Sequence, residues 1–271
     1  MPELVLLERG GQVATVILND PERRNAMSRA MGEAFAGRIG ELAAEPDLRA
    51  VILSGAGRAF CAGGDMDMIT EQADAGASGH ALPGHARRVI RDTMRSFYTL
   101  FLSVRDLPCP TIAAINGHAI GAGLCVALAC DLRIAARDAK LGLNFTRLGL
   151  HPGMAATWTL PRLLGPALAA ELLYTGRLVD GAEAEHLGIA NRAVATEDVV
   201  PVARELAEEI AAAAPLAVRG VKRSLARSLA ASFDDQLSFE ASEQAGTFES
   251  RDAREGLAAA RERRAPKFEG R

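Results

Sequence analysis

The sequence predicts an α/β fold followed by a purely helical C-terminal region. Two observations carry that reading. Over residues 1–195, short β-rich runs alternate with stretches of helical period. From Thr196 onward only the helical period remains, which divides the chain into residues 1–195 and 196–271. With 49% hydrophobic and 24% charged residues, a chain of 271 residues can bury one large core.

The elements follow in order. Residues 4–7 (LVLL) and 13–18 (VATVIL) flank Gly10-Gly11 and read as a hairpin. Asn19-Asp20-Pro21 breaks the pattern. Ser28 can cap a helix with Met31, Phe35, Ile39 and Leu42 on one face, and Pro46 ends it. Residues 51–53 read as a buried strand. Residues 54–64 (SGAGRAFCAGG) read as a Gly-rich loop, after which Asp65 can cap a short helix. Residues 71–86 are small and polar, with Gly76, Gly79, Pro83 and Gly84, and are expected to form a mobile surface loop. A helix is predicted over 86–104, a strand over 111–115, a helix over 121–130 and a strand over 132–135. Pro152-Gly153 opens a helix towards Leu164, and Gly165-Pro166 punctuates it. Asp180 with Glu183 resembles a capping box, and residues 189–194 form a last short strand.

Composition excludes several function classes. Lys plus Arg number 31 and Asp plus Glu 34, a net charge of -3 without the basic excess of a nucleic-acid binder. Cys61, Cys109, Cys125 and Cys130 lie among small apolar residues with no CxxC spacing. They read as reduced, buried thiols rather than disulfides or metal ligands. Residues 107–130 carry no formal charge and are long enough to span a bilayer. Pro108, Pro110, Asn116, His118 and three glycines interrupt them, so a strand, a turn and a small-residue helix is the better reading, with no membrane partner. The N-terminal MPELVLLERGG has an apolar run too short for a signal peptide, so a cytoplasmic location is expected.

Two segments carry the chemistry. One is residues 59–65, AFCAGGD; the other is residues 116–123, NGHAIGAG, running on to Asp131. Each sets Gly-rich backbone between a strand and a helix start. Such turns leave N–H groups without intrahelical partners, and small residues let a ligand reach them. Two N–H groups converging on one point would hold an anion or oxyanion.

Together the segments resemble the crotonase superfamily, the enoyl-CoA hydratase/isomerase family. Residues 59–65 meet its A-F-x-A-G-x-D signature. Residues 116–131 meet its N-G-x-A-x-G-G-G signature and the helix ending C-D, with Ala122 in place of the middle Gly. Residues 19–27 (NDPERRNAM), 149–153 (GLHPG) and 251–268 resemble further family segments, in order along the chain. The resemblance implies a crotonase-like superhelix of stacked β-β-α units and a C-terminal helical region that builds a homotrimer or dimer of trimers. It implies an acyl-CoA thioester substrate, with coenzyme A as part of the substrate and no other cofactor.

The resemblance also implies roles for individual residues. The amides of Gly64 and Ala122 would form an oxyanion hole for a thioester enolate. Arg24, Ala26, Ala62 and the turn of Gly63, Gly64, Asp65 and Met66 would contact adenine and pantetheine, and Arg58 a phosphate. Cys125, Asn144, Phe145 and Gly153 would lie at the acyl group. The two glutamates that hydratases of the family use correspond to Cys125 and Phe145, neither of which is a carboxylate. Ordinary hydration is therefore not expected, and isomerisation, decarboxylation and thioester hydrolysis stay open. His151 is the first choice for a replacement acid/base. His118, Asp67, Glu71, His80 and His85 are others, each of which also has a plain structural reading. Asp65 reads as a helix cap, Cys125 as a small core thiol, and Trp158 and Tyr174 as core or subunit contacts. A binding pseudoenzyme or assembly subunit is the alternative function.

Overall fold

The computed structural model describes residues 3–77 and 85–271, with backbone alone at Ala77, His85 and Ala86. The chain opens with the expected hairpin, β1 (Val5–Gly10) and β2 (Val13–Leu18), paired antiparallel. Helix α1 (Arg29–Ala43) starts at Ser28, whose side chain accepts the Met31 N–H at 3.2 Å. Met31, Phe35, Ile39 and Leu42 are buried along its inner face. This is the amphipathic stripe that the spacing predicts.

Three units of similar plan follow. The first is β3 (Ala50–Gly55), β4 (Ala59–Cys61) and α2 (Met66–Ala77), after which α3 (His85–Leu102) runs back across the molecule. The second is β5 (Thr111–Ile115), β6 (His118–Ile120) and α4 (Ala122–Ala129). The third is β7 (Leu132–Ala136), β8 (Lys140–Gly142), a 3-10 turn (Asn144–Leu148) and α5 (Ala156–Leu164). The chain then forms α6 (Pro166–Thr175), β9 (Val179–Asp180), α7 (Gly181–Leu187) and β10 (Arg192–Val194). It ends in α8 (Val199–Ala211), α9 (Pro215–Ser228), α10 (Phe233–Phe248) and α11 (Arg251–Glu262).

Among the described residues the strands form two sheets. One has six strands in the order β1-β2-β3-β5-β7-β10, the other four in the order β4-β6-β8-β9. Each unit thus places its first strand in the large sheet and its second in the small one. Successive units stack in parallel register, Ile52 beside Ile112 and Ile112 beside Leu132. Every residue of β3 and β5 is buried, as expected of parallel strands covered on both faces. The stacked β-β-α architecture is therefore the one the resemblance implies.

Several expectations need correction. Residues 54–64 are not all loop, because Ala59–Cys61 form β4. Residues 66–77 are helix α2, so the expected loop over 71–86 is helical up to residue 77. Its remainder, with His80, lies outside the described residues. Helix α5 begins at Ala156 rather than at Pro152-Gly153, because Met154 and Ala155 take left-handed backbone at φ 51° and 58°. Asp180 does cap α7, accepting the Glu183 N–H at 2.9 Å, but the Glu183 carboxylate turns to Arg177 instead of closing the box.

The switch of period near residue 195 is present, yet α8 packs on β3, β5 and β7. Val199, Ala203 and Ala207 are fully buried there; small side chains let the helix lie close to the sheet. Arg49 reaches the carbonyls of Ala211 and Phe268 at 2.7 and 2.6 Å, tying the last residues to the core. Residues 107–130 resolve into β5, β6 and an eight-residue α4, and no helix among the described residues is long and apolar enough to cross a membrane. Tyr174 is 80% exposed and not a core residue. Trp158, on α5, is exposed and lies under two guanidinium groups. Arg162 sits 4.1 Å from its ring centroid and Arg105 5.3 Å.

Candidate functional site

The first Gly-rich segment is held by a network centred on Asn25, which is fully buried at φ 56°. Its amide nitrogen donates to the carbonyls of Ala56, Ala59 and Phe60, and its oxygen accepts the Asp20 N–H at 2.8 Å. One side chain thereby fixes both ends of the loop before β4. Past β4, Met27 bridges Gly64 in parallel fashion. The Met27 N–H donates to Gly63 O at 2.7 Å, and the Asp65 N–H donates to Met27 O at 3.2 Å. In this pairing the bonds run through residues 63 and 65, so the amide of Gly64 points away from Met27.

The second segment meets the first here. Gly121 donates its N–H to Gly142 O at 2.7 Å and sits at φ 54°, turning the chain from β6 into α4. Ala122 is then the first helical residue, and its N–H is one of the four that a helix leaves unpaired. Its φ is not in the left-handed region, so Ala fits where the family signature has Gly. Gly63 lies against this turn. A Cβ there would stand 2.7 Å from Ile120 O and 3.7 Å from Ala122 N. Two amides without intrasegment partners, Gly64 and Ala122, therefore line one cavity.

That cavity holds about 380 Å³ and gathers Ala62, Gly63, Gly64, Met66, Asn144, Phe145 and His151 with Ala122. The rest of its wall is mostly apolar, from α2 and α3: Met68, Ile69, Ile90, Met94 and Phe97 among them. Asp65 is buried beside it, paired with Arg23 and accepting the Asp67 N–H at 2.9 Å. It is the cap the sequence suggests. Arg24 and Arg58 are exposed and Ala26 half-buried; these three stand outside the cavity wall. Asp67 and Glu71 are exposed and also outside it.

Cys125 does not line this cavity. It lines a second one of about 210 Å³, with Met154, Trp158 and Arg105. Burial pushes its thiol up to about 12, and its Sγ lies 3.7 Å from Gly153 O. Cys61 is likewise pushed up to about 12 by burial. A thiol in such surroundings is neutral and inert as a nucleophile.

The two histidines of these segments differ in kind. His118 accepts the Lys140 N–H on Nδ1 at 2.9 Å, so that nitrogen serves to link β6 to β8. His151 has its Nδ1 2.8 Å from Pro152 O. A carbonyl only accepts, so the neutral ring donates from Nδ1 and keeps a free lone pair on Nε2. His151 is exposed at the cavity edge.

Residues 8–271 match the family model described as enoyl-CoA hydratase/isomerase. The chain belongs to the enoyl-CoA hydratase/isomerase family. Among relatives of this family member, a putative enoyl-CoA hydratase of Thermus thermophilus is 36% identical, covering 98% of this chain and 100% of its own. The mitochondrial enoyl-CoA hydratase domain-containing protein 2 of Bos taurus is 37% identical over 95% of this chain and 84% of its own. The crystal structure of an enoyl-CoA hydratase from Bacillus anthracis superposes with a TM-score of 0.89. It is 35% identical, with 99% of this chain and 100% of that one covered.

One residue of this family member's cavity is invisible to motif reading. Tyr98, on α3, lines the wall beside Phe97. The helical period over 90–101 marks the face on which Ile90, Met94, Phe97 and Phe101 lie. It does not say that this face meets Gly153.

Proposed function

We propose that this family member acts on an acyl-CoA thioester whose enolate is stabilised by the amides of Gly64 and Ala122. The observation that supports the reading is that Gly64 and Ala122, whose amides have no partner within their own segments, both line one mostly apolar cavity. In this reading the thioester oxygen sits between them as the α-carbon gains or loses a substituent. Negative charge grows on that oxygen, and preorganised donors stabilise it more than they stabilise the ground state. Arg24 and Arg58 lie outside the cavity, where the phosphates of coenzyme A would run. His151 supplies the free Nε2 as the acid/base group. The acyl chain lies against α2 and α3.

A saturated acyl-CoA is expected to bind at micromolar affinity in calorimetry. Arg24→Glu should weaken it about tenfold, since reversing an exposed charge removes one attraction and adds one repulsion. No heat and no thermal shift with any acyl-CoA would overturn the site.

The reaction is proposed to be an isomerisation, decarboxylation or other lyase-type step in acyl-chain metabolism, performed by a cytoplasmic protein. The second reading, a pseudoenzyme that binds acyl-CoA without turnover, is favoured by a thiol held near 12 at one glutamate position and a phenyl ring at the other. Crotonyl-, malonyl- and 3-enoyl-CoA, followed by absorbance and mass spectrometry, separate the two. Turnover of malonyl- or 3-enoyl-CoA is expected; binding without turnover of any of the three would favour the pseudoenzyme.

We further propose a homotrimer or dimer of trimers built through the C-terminal helices. Val221 and Leu225 on α9, Leu229 just past its end, and Phe233, Leu237 and Phe248 on α10 are each more than half exposed, an apolar area that a monomer seldom leaves open. Sedimentation at micromolar concentration should show three or six subunits. A stable monomer would refute it.

A further inference from the structure

Tyr98 carries a hydroxyl into a wall that is otherwise mostly apolar. The phenol end of its ring lies against Gly153: a Cβ on Gly153 would stand 2.4 Å from the Tyr98 hydroxyl and 2.7 Å from Cζ. Only glycine leaves room for the ring there, so the hydroxyl position is set by backbone contact. Behind Gly153, its carbonyl faces Cys125 Sγ at 3.7 Å. Among the described residues the Tyr98 hydroxyl has no hydrogen-bond partner. The other polar side chains of the wall are placed differently. The Asn144 amide oxygen faces Gly121, His151 bonds Pro152 O, and Gln72 comes from α2. Burial, with Cys125 adding to it, raises the Tyr98 pKa. At neutral pH the group is therefore a donor and not a base.

We propose that Tyr98 is the specificity-determining residue of this site, its hydroxyl donating a hydrogen bond to an oxygen carried on the acyl chain beyond the thioester. This rests on the acyl-CoA reading above. A plain hydrocarbon chain would cover the hydroxyl and leave it unpaired, which is unfavourable in an apolar wall. A chain with an oxygen at that place satisfies it. The phenol discriminates between the two because, where it stands against Gly153, its hydroxyl is paired by the one chain and not by the other.

The test compares two CoA thioesters of equal chain length, 3-hydroxybutyryl-CoA and butyryl-CoA, by calorimetry against the wild type and Tyr98→Phe. The wild type should bind the hydroxylated ligand about tenfold more tightly, one neutral hydrogen bond plus the avoided unpaired donor. Tyr98→Phe should abolish that preference, weakening the hydroxylated ligand while butyryl-CoA binds as tightly as to the wild type or a few-fold more tightly, because no donor is left to be covered. A merely structural role would change both ligands together. Equal wild-type affinities, or a preference that survives in Tyr98→Phe, would overturn the proposal and leave the acyl-CoA reading standing. Failure of both ligands to bind the wild type would overturn the two together. If the variant does not fold, equal wild-type affinities for the two ligands still overturn the proposal.

Discussion

Crotonyl-CoA should be hydrated slower by several orders of magnitude than by a family member with both glutamates. Water addition needs a group that takes a proton from water and one that gives a proton to the α-carbon. A positioned acid or base contributes about 10²–10⁴ in rate, and losses within one catalytic unit do not simply multiply. Cys125, which the resemblance sets at the first glutamate position, is buried, and burial pushes its thiol up to about 12, so it is neutral throughout the physiological range. It also faces a different cavity from the one with the two amides. Phe145 does line that cavity and cannot move a proton. The amides alone would supply about 10²–10³ per donor. The measurement is loss of enoyl absorbance at micromolar enzyme. Fast hydration that persists in His151→Ala would show that another acid and base had been overlooked.

Gly63→Ala should lower stability by about 3 kcal/mol and the melting temperature by about 8 °C. Gly63 sits at φ 101°, a backbone region that L side chains rarely adopt. Its Cβ would also press to 2.7 Å on Ile120 O, a backbone atom with no rotamer to yield. The two Gly-rich segments would have to separate, so ligand binding should fall with stability. Gly37→Ala is the control. Gly37 is exposed in α1 with open space where a Cβ would be, and the change should stabilise by roughly 0.5–1 kcal/mol. Equal thermal midpoints for Gly63→Ala and wild type would show that the segments are not packed as described.

The long elements were legible because their period is long. Ser28 followed by Met31, Phe35, Ile39 and Leu42 specifies α1 over fifteen residues. Strands β4, β6 and β8 have three residues each and lie beside glycines, so no alternation can develop. Their existence depends on pairing with one another across units, which is tertiary information. Helix α2 was hidden by small residues near its end, Ala73, Ala75 and Gly76, which suit a helix packed on α3 as well as they suit a loop. The Gly64 and Ala122 neighbourhood was legible from two motifs. The separation of Cys125 from that cavity was not, because it depends on which side of α4 faces α5. Tyr98 escaped for the same reason. Its partner Gly153 is distant in sequence, and only the crossing of α3 over the segment before α5 brings them together.

Trp158 is the single tryptophan of the chain. Intrinsic fluorescence excited at the red edge of the indole band therefore comes from one address, the outer face of α5. Its immediate neighbours are two cationic planes, from Arg105 and Arg162, and the cavity that contains Cys125 and Met154. The emission is thus a local optical gauge. It registers events at α5 and the left-handed bend at Met154 and Ala155 that precedes it, and is silent on unfolding confined to the hairpin or the last helix.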